Sequence, residues 1–343
     1  MPVFHAADFD AHEQVCFFTD ADAGLHAIIA IHWSGPGLAG GGIRMWPYDD
    51  EQKAITDALR LSRAMTYKFA LADIPIGGGK TVIIGDARTA KTPALLRALG
   101  RAVDSLGGRY ICGPDVGTTP EDMIHVGETT DHVRGRPGES GDTSPATGYG
   151  VFQALRAAVR HRLGRQDLAG LKVAVQGAGA VGSALCRHLH EAGAEILIAD
   201  VDSAAVARAE ADFGAVAVTP EAILAVEADV LAPCALGAVL NDQSIPEIRA
   251  AVVCGGANNQ LAEDRHGDAL AGRGILYVPD YVANAGGAIN ASAEGPDYDA
   301  ERAWQRVGRI YDTCERVFAR AEADGIAASR AADRLAAEIV GRG

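Results

Sequence analysis

The sequence predicts an α/β protein of two domains, the second of them a doubly wound parallel sheet. Three observations carry this. Short apolar runs alternate with helical segments through the second half of the chain, a tract rich in Gly, Pro, Ser and Thr precedes that half, and a glycine-rich turn joins a strand to a helix soon after it. With 343 residues, 48% of them hydrophobic and 22% charged, the chain has room for two cores, which excludes disordered and fibrous classes.

In the first half, LHAIIAIHW (25–33) and TVIIG (81–85) are β-branched runs of strand length. Between them, residues 51–73 set Ile55, Leu59, Ser62 and Met65 on one stripe at helical spacing with no internal Gly or Pro, which predicts an amphipathic helix. Residues 109–123 read as a strand entering a loop, with Thr119-Pro120-Glu121 opening a helix through a cap and a proline in its first turn. The tract 134–147, RGRPGESGDTSPAT, is the expected interdomain connection.

In the second half, KVAVQ (172–176), EILIAD (195–200), DVLAPC (229–234), AVVCGGAN (251–258) and GILYVPD (274–280) are short apolar runs separated by helical segments. Residues 301–325 predict one long charged helix, followed by a short one over 328–340.

The formal net charge of −14 repels phosphate backbones and anionic lipid head groups, so nucleic acid and membrane surfaces are excluded as partners. The N-terminus is acidic, no apolar run approaches a transmembrane length, and the six cysteines form no CxxC pair, which together point to a reducing cytoplasm. No histidine spacing suggests a metal site.

Gly177-Ala178-Gly179-Ala180-Val181-Gly182 follows the strand KVAVQ, opens a helix, and is followed by a strand ending at Asp200. That context makes it a dinucleotide fingerprint and not a chance glycine cluster. Gly177 permits the tight turn, Gly179 lets backbone approach a pyrophosphate, and Gly182 allows close helix packing. Asp200 would accept from the ribose hydroxyls and repel a 2′-phosphate, which favours NAD. Two alternatives stay open: NADP, if Arg208 accommodates the phosphate, and glycines kept for packing alone.

Lys68 lies near the end of the long helix, where a lysine is ordinarily solvated. Lys80 differs, because Gly77-Gly78-Gly79 precede it and an apolar strand follows, and a lysine in a buried strand is costly without a task.

The segments GGGIRMWPY (40–48), MTYKFALADIPIGGGKTVIIGD (65–86), GPDVGT (113–118), SPATGYGV (144–151), GAGAVG, GANNQL (256–261) and PDYVANAGGAIN (279–290), taken in order, resemble the glutamate/leucine/phenylalanine/valine dehydrogenase superfamily in its short branch. The resemblance is nearest to leucine and phenylalanine dehydrogenases. It implies an N-terminal α/β domain (1–140) for substrate binding and oligomerisation, a Rossmann domain (141–326), a cleft between them, and a C-terminal helix (about 327–343) packing back on the first domain. It implies reversible oxidative deamination of an L-amino acid to its 2-oxo acid and ammonia, with NAD accepting the α-hydride.

By the same resemblance, Lys68 holds the substrate carboxylate, Lys80 polarises the carbonyl and activates water, and Asp115 holds the amino group and shuttles its proton. Gly41 and Gly42 offer backbone donors near the carbonyl oxygen, Asn258 bonds substrate or nicotinamide, and Thr147 contacts the carboxamide. Met65, which by residue type reads as packing, and Pro114 join the substrate pocket. Cys234 and Ala235 line the cofactor pocket, Cys234 as a small buried residue and not a nucleophile, since no histidine accompanies it. Arg44 braces the glycine loop.

The chemistry asks for such a set independently. A 2-oxo acid needs one cation for its carboxylate and another donor where alkoxide character develops. Desolvation and a second cation would lower the Lys80 pKa, with Asp115 displaced in the opposite direction.

Pocket positions matched by motif are apolar or glycine, which disfavours a dicarboxylic substrate. Where leucine-preferring relatives resemble Leu, Ala, Val and Val, this chain has Gly40, Gly113, Ala288 and Ala291, smaller at every position. An underfilled apolar pocket forfeits roughly 0.8 kcal/mol per methylene, so phenylalanine or tryptophan is expected. A branched-chain substrate is the alternative, and a catalytically silent nucleotide sensor the remote one. Octameric leucine-type relatives continue beyond the position matching Gly343, so a homodimer is expected.

Overall fold

The computed structural model describes residues 3–6, 8–35, 37–137, 142–293 and 298–341. They divide into two compact units, 1–141 and 142–343. Residues 138–141 of the expected connection lie outside those described.

The first unit runs β1 (Gln14–Asp20), β2 (Leu25–Trp33), β3 (Ala39–Trp46), α1 (Glu51–Leu71), β4 (Gly77–Ile84), α2 (Pro93–Asp104), β5 (Tyr110–Pro114) and α3 (Pro120–Val126). Its sheet has the order β1-β2-β4-β3-β5, antiparallel across β1, β2 and β4 and parallel across β4, β3 and β5. β2 covers the whole expected run LHAIIAIHW. It reads as continuous apolar sequence because both faces are covered. Leu25, Ala27, Ile29 and Ile31 join the α2 core, while Ile28 and Ala30 join Ala54, Ile55, Ala58 and Leu59 of α1.

This alternation fixes the rest of the sheet. Ile43, Met45 and Ile83 belong to the α2 face, so Gly40, Gly42 and Arg44 of β3 and Lys80 of β4 take the α1 face. Helix α1 starts at the Asp50 cap, whose carboxylate accepts from the Gln52 amide. Helix α3 carries the expected Thr119 cap, extended by Asp122 into a capping box. Two strands of this sheet have no counterpart in the expectations: β1, half-exposed at the sheet edge, and β3, whose AGGGIRMW has too few side chains to show a period.

The second unit comprises α4 (Ser144–Leu163), β6 (Lys172–Gln176), α5 (Ala180–Glu191), β7 (Glu195–Ala199), α6 (Ser203–Phe213), β8 (Val216–Ala217), β9 (Val230–Pro233), β10 (Val252–Val253), α7 (Arg265–Gly272), β11 (Leu276–Tyr277), α8 (Asp280–Ala283), α9 (Gly286–Ser292), α10 (Ala300–Gly308), α11 (Ile310–Asp324) and α12 (Ala328–Ile339). Its six strands are all parallel, in the order β8-β7-β6-β9-β10-β11. That order reverses between β6 and β9, and in open parallel sheets of this order ligands bind at the carboxyl ends of the strands beside the reversal.

One expectation needs correction here. The helix expected over 301–325 breaks at Arg309, whose amide bonds back three residues to the Arg306 carbonyl after the weak helix former Gly308. The C-terminal helix α12 packs on α11 and α7. Its buried stripe is Ala328, Ala331, Ala332 and Ala336, and Arg330 to Asp268, Arg320 to Glu338 and Tyr281 to Asp333 tie it down. Among the described residues, no helix is long and apolar enough to cross a membrane.

Candidate active site

On the α1 face of the first sheet, glycines make the room and charged groups occupy it. A Cβ at Gly42 would stand 2.6 Å from Asp115 Cβ and 3.1 Å from Lys80 Nζ, so only glycine lets both side chains meet there. Lys80 Nζ donates to Asp115 Oδ2 at 2.5 Å, and the Lys80 side chain is 6% exposed. Thr118 holds the loop that carries Asp115, its hydroxyl accepting the Asp115 amide and donating to the Ile43 carbonyl. Behind the site, Tyr110 is fully buried, packs where a Cβ on Gly79 would intrude at 2.7 Å, and donates to the Gly41 carbonyl.

Burial alone would push the Asp115 carboxyl up, but Lys80 and Arg44 beside it hold it down at about 2. The expected displacement was upward. Two flanking cations reverse it, and the second, Arg44 Nε at 3.5 Å from Asp115 Oδ2, was assigned to the glycine loop from sequence. The strand period carries the missed signal, because Arg44 sits two residues beyond Gly42 on the same face.

Lys68 is on the last turn of α1, partly buried, and shares a helix face with Met65 and Phe69. Phe69 reaches the sheet at Gly40, where a Cβ would lie 3.3 Å from its ring and 2.9 Å from Ile76 Cδ1. The space expected to be vacant at Gly40 is therefore filled by Ile76 and Phe69. At Gly113 the expectation differs in outcome: among the described residues, a Cβ there meets only the Arg134 carbonyl, at 3.5 Å. Pro114 follows on β5, its ring close to Gly135.

In the second unit, the glycine turn connects β6 to α5. Gly177 has φ +106°, and a Cβ on it would press on Ala235 N and Cys234 C at 2.9 Å, while one on Gly182 would strike the Gly177 carbonyl. Those two glycines serve the fold. Gly179 does not: a Cβ on it meets nothing within 4 Å among the described residues, and its φ of −68° suits any residue. A glycine there leaves the backbone open to an approaching group, and the amides of Ala180 and Val181 precede the first helical bond, from Ser183 to Gly179. The residues present fit a dinucleotide pyrophosphate.

Asp200 stands over this turn, accepting from the Ala178 amide at 2.7 Å and the Asp202 amide at 2.8 Å. The Asp202 bond first, and the Ala178 bond against some desolvation, lower its pKa, so it is an anion at neutral pH. Arg208 lies 3.8 Å from Asp202. Cys234 begins the loop after β9, its amide donating to the Gln176 carbonyl, with Ala235 exposed beside it. Burial pushes the Cys234 thiol up to about 11, so it is no nucleophile at neutral pH.

The second unit also gathers the remaining residues. Thr147, in the first turn of α4, lies where a Cβ on Gly287 would come within 2.7 Å of its hydroxyl, which places it beside α9 and its half-buried Ala288 and Ala291. Asn258 is exposed, and its Oδ1 accepts from Asn284 Nδ2 at 2.8 Å. Sequence reasoning missed Asn284, which occupies the acceptor oxygen of Asn258 and leaves the NH₂ group of that amide as its donor end. Among the described residues, Asp242, Glu263 and His266 are grouped closely enough for a metal ion, but Arg265 already pairs with both carboxylates.

Residues 12–132 match the family described as Glu/Leu/Phe/Val dehydrogenase, dimerisation domain, and residues 138–215 and 198–308 match Glutamate/Leucine/Phenylalanine/Valine dehydrogenase. The chain belongs to the Glu/Leu/Phe/Val dehydrogenase family. It is 51% identical to a leucine dehydrogenase from Geobacillus stearothermophilus, over 99% of this chain and 94% of that one. It is 44% identical to a phenylalanine dehydrogenase from Bacillus thermotolerans, over 94% and 87%. The crystal structure of L-tryptophan dehydrogenase from Nostoc punctiforme superposes with a TM-score of 0.84 at 46% identity, covering 96% of each chain. The protein is thus an amino acid dehydrogenase, an oxidoreductase of a generally NAD(P)-dependent family with the two-domain α/β fold of its relatives.

Proposed function

We propose that this dehydrogenase catalyses the reversible, NAD-dependent oxidative deamination of an L-amino acid with a bulky aromatic side chain, of the phenylalanine or tryptophan type. The buried Lys80–Asp115 hydrogen bond of 2.5 Å carries the chemical reading. It sets a general base and an acid/base partner within proton-transfer reach on a face cleared by glycine. Lys68 binds the carboxylate, Gly41 and Gly42 line the carbonyl, and Asn258 presents its NH₂ donors to an acceptor on substrate or nicotinamide. Lys80 polarises the carbonyl and takes the proton of the attacking water, and Asp115 holds the departing amino group and moves its proton. Bound over Gly177–Gly182, NAD supplies the hydride acceptor.

NAD over NADP is supported by the ionised Asp200, which would lie against a 2′-phosphate, and by Arg208, which stands near Asp202. The aromatic substrate is supported by open space at Gly113 and by the small side chains of Ala288 and Ala291. A branched-chain substrate is the second reading. It is favoured by the filling of Gly40's space by Ile76 and Phe69, and by the identity to leucine dehydrogenase. A homodimer built through the first unit is supported by the dimerisation-domain match over 12–132.

The test is kcat/KM for the proteinogenic amino acids with NAD and with NADP, read as reduced-cofactor absorbance. Leucine or valine ahead of phenylalanine and tryptophan would decide for the second reading. No turnover with any of them would remove the enzyme and leave a nucleotide-binding protein.

A further inference from the structure

The charges on the α1 face form an unbroken chain that extends well behind the Lys80–Asp115 pair. The Tyr48 hydroxyl donates to Asp57 Oδ2, and Arg44 Nη1 donates to the same oxygen at 3.0 Å. Arg44 Nε then lies 3.5 Å from Asp115 Oδ2, the oxygen that takes Lys80 Nζ. Four elements contribute: α1 with Asp57, β3 with Arg44, β4 with Lys80, and the loop after β5 with Asp115. The Arg44 and Asp115 side chains are 14% and 17% exposed, so water screens the pair weakly.

Among the described residues, Arg44 Nε has no hydrogen-bond partner, although it is buried. Its nearest anion is Asp115, slightly too far for a hydrogen bond and close enough for strong attraction. A guanidinium clamped by Asp57 through one nitrogen therefore keeps a second, uncommitted donor beside the acid/base carboxylate. The titratable groups around Asp115 are Lys80 from β4, Arg44 from β3 and the buried Tyr110 hydroxyl from β5, with Asp57 and Tyr48 behind Arg44.

We propose that Arg44 is a positioning residue for the deamination: anchored by Asp57 and Tyr48, it directs the Asp115 carboxylate toward Lys80 and remains its partner when Lys80 turns to substrate. The need for it is electrostatic. When Lys80 gives up its charge to act as a base its attraction for Asp115 weakens, and a buried carboxylate left without a cation is costly. Arg44, fixed and always charged, covers that interval. The inference rests on the acid/base reading of Asp115.

A double-mutant cycle tests it. Arg44→Gln should lower kcat by about 10–100-fold, the scale of a misplaced catalytic group, with the amino acid KM within about threefold and NAD affinity unchanged. In an Asp115→Asn background the same substitution should cost less than about twofold, because its target is gone. Arg44→Lys should recover part of kcat by restoring the charge without the fork. An equal loss in both backgrounds, or wild-type kcat in Arg44→Gln, overturns the proposal. Where Arg44→Gln does not fold, the cycle with Arg44→Lys decides by the same criterion. Full turnover in Asp115→Asn would instead overturn the reading of Asp115 itself, an outcome separable from failure of the Arg44 role.

Discussion

Gly42 and Asp115 are in mutual contact: a methyl group on Gly42 would stand 2.6 Å from the Asp115 Cβ, and 3.1 Å from the Lys80 amine. Gly42→Ala should therefore displace the pair and reduce turnover by about 10²-fold, as a shift of about 1 Å in a reacting group does. NAD binding, measured by fluorescence titration, should be unchanged, since the cofactor turn belongs to the second unit. Lys80→Ala should show the same separation with a larger loss of turnover. Normal turnover in either variant would detach the pair from the reaction.

Acid stability follows from the same pair. Asp115 has a folded pKa of about 2, below the ordinary 3.8, so it contributes stability that is present above the ordinary value and lost as pH falls toward 2. The contribution is on the order of 2 kcal/mol. Denaturant midpoints at about pH 5 and about pH 3 should draw together in Asp115→Asn relative to the wild type. An unchanged pH dependence in that variant would mean that the pairing adds nothing to the fold.

Cofactor choice should follow the charge of Asp200. Asp200→Asn keeps an acceptor for the Ala178 amide and removes the repulsion, so the NAD/NADP ratio of kcat/KM should fall by about tenfold or more. Asp200→Ala should weaken both cofactors, because it also leaves the Ala178 amide without its partner. A wild-type preference for NADP would contradict the role given to Asp200.

Substrate size should be read at Gly113 and Ala288. Gly113→Ala and Ala288→Val should each move the preference from phenylalanine toward leucine, by about 1–3 kcal/mol at most. Gly40→Leu should disturb the wall formed by Ile76 and Phe69 and lower kcat/KM for both substrates. Selective improvement with leucine in Gly40→Leu would show that Gly40, and not Gly113, sets the pocket.

Assembly can be tested directly. Light scattering at micromolar concentration should give the mass of two chains, and a mass near that of eight would show that surfaces beyond one two-fold pairing hold the particle together.

Much of this was legible without coordinates because it rests on local chemistry. The run LHAIIAIHW defined β2 residue by residue, Thr119-Pro120 capped α3, and Gly177 to Gly182 placed the glycine turn between β6 and α5. The motifs also singled out Lys80 and Asp115, which the fold brings to 2.5 Å from positions far apart in sequence. Strand β3 was missed because AGGGIRMW has almost no side chains with which to display a period of two.

The sequence by itself determined the alternation of elements, the glycine turn between strand and helix, the family and the identities of the paired charges. These depend on residue type and short spacing, which the chain carries regardless of its path. Only the tertiary structure decided that Ile76 and Phe69 refill the space at Gly40, that Asp115 is pulled down by two cations, and that Arg44 is one of them. Each of these depends on distances of a few ångströms between strands and helices whose neighbours are set by sheet order, and the sheet order is not written in any one segment.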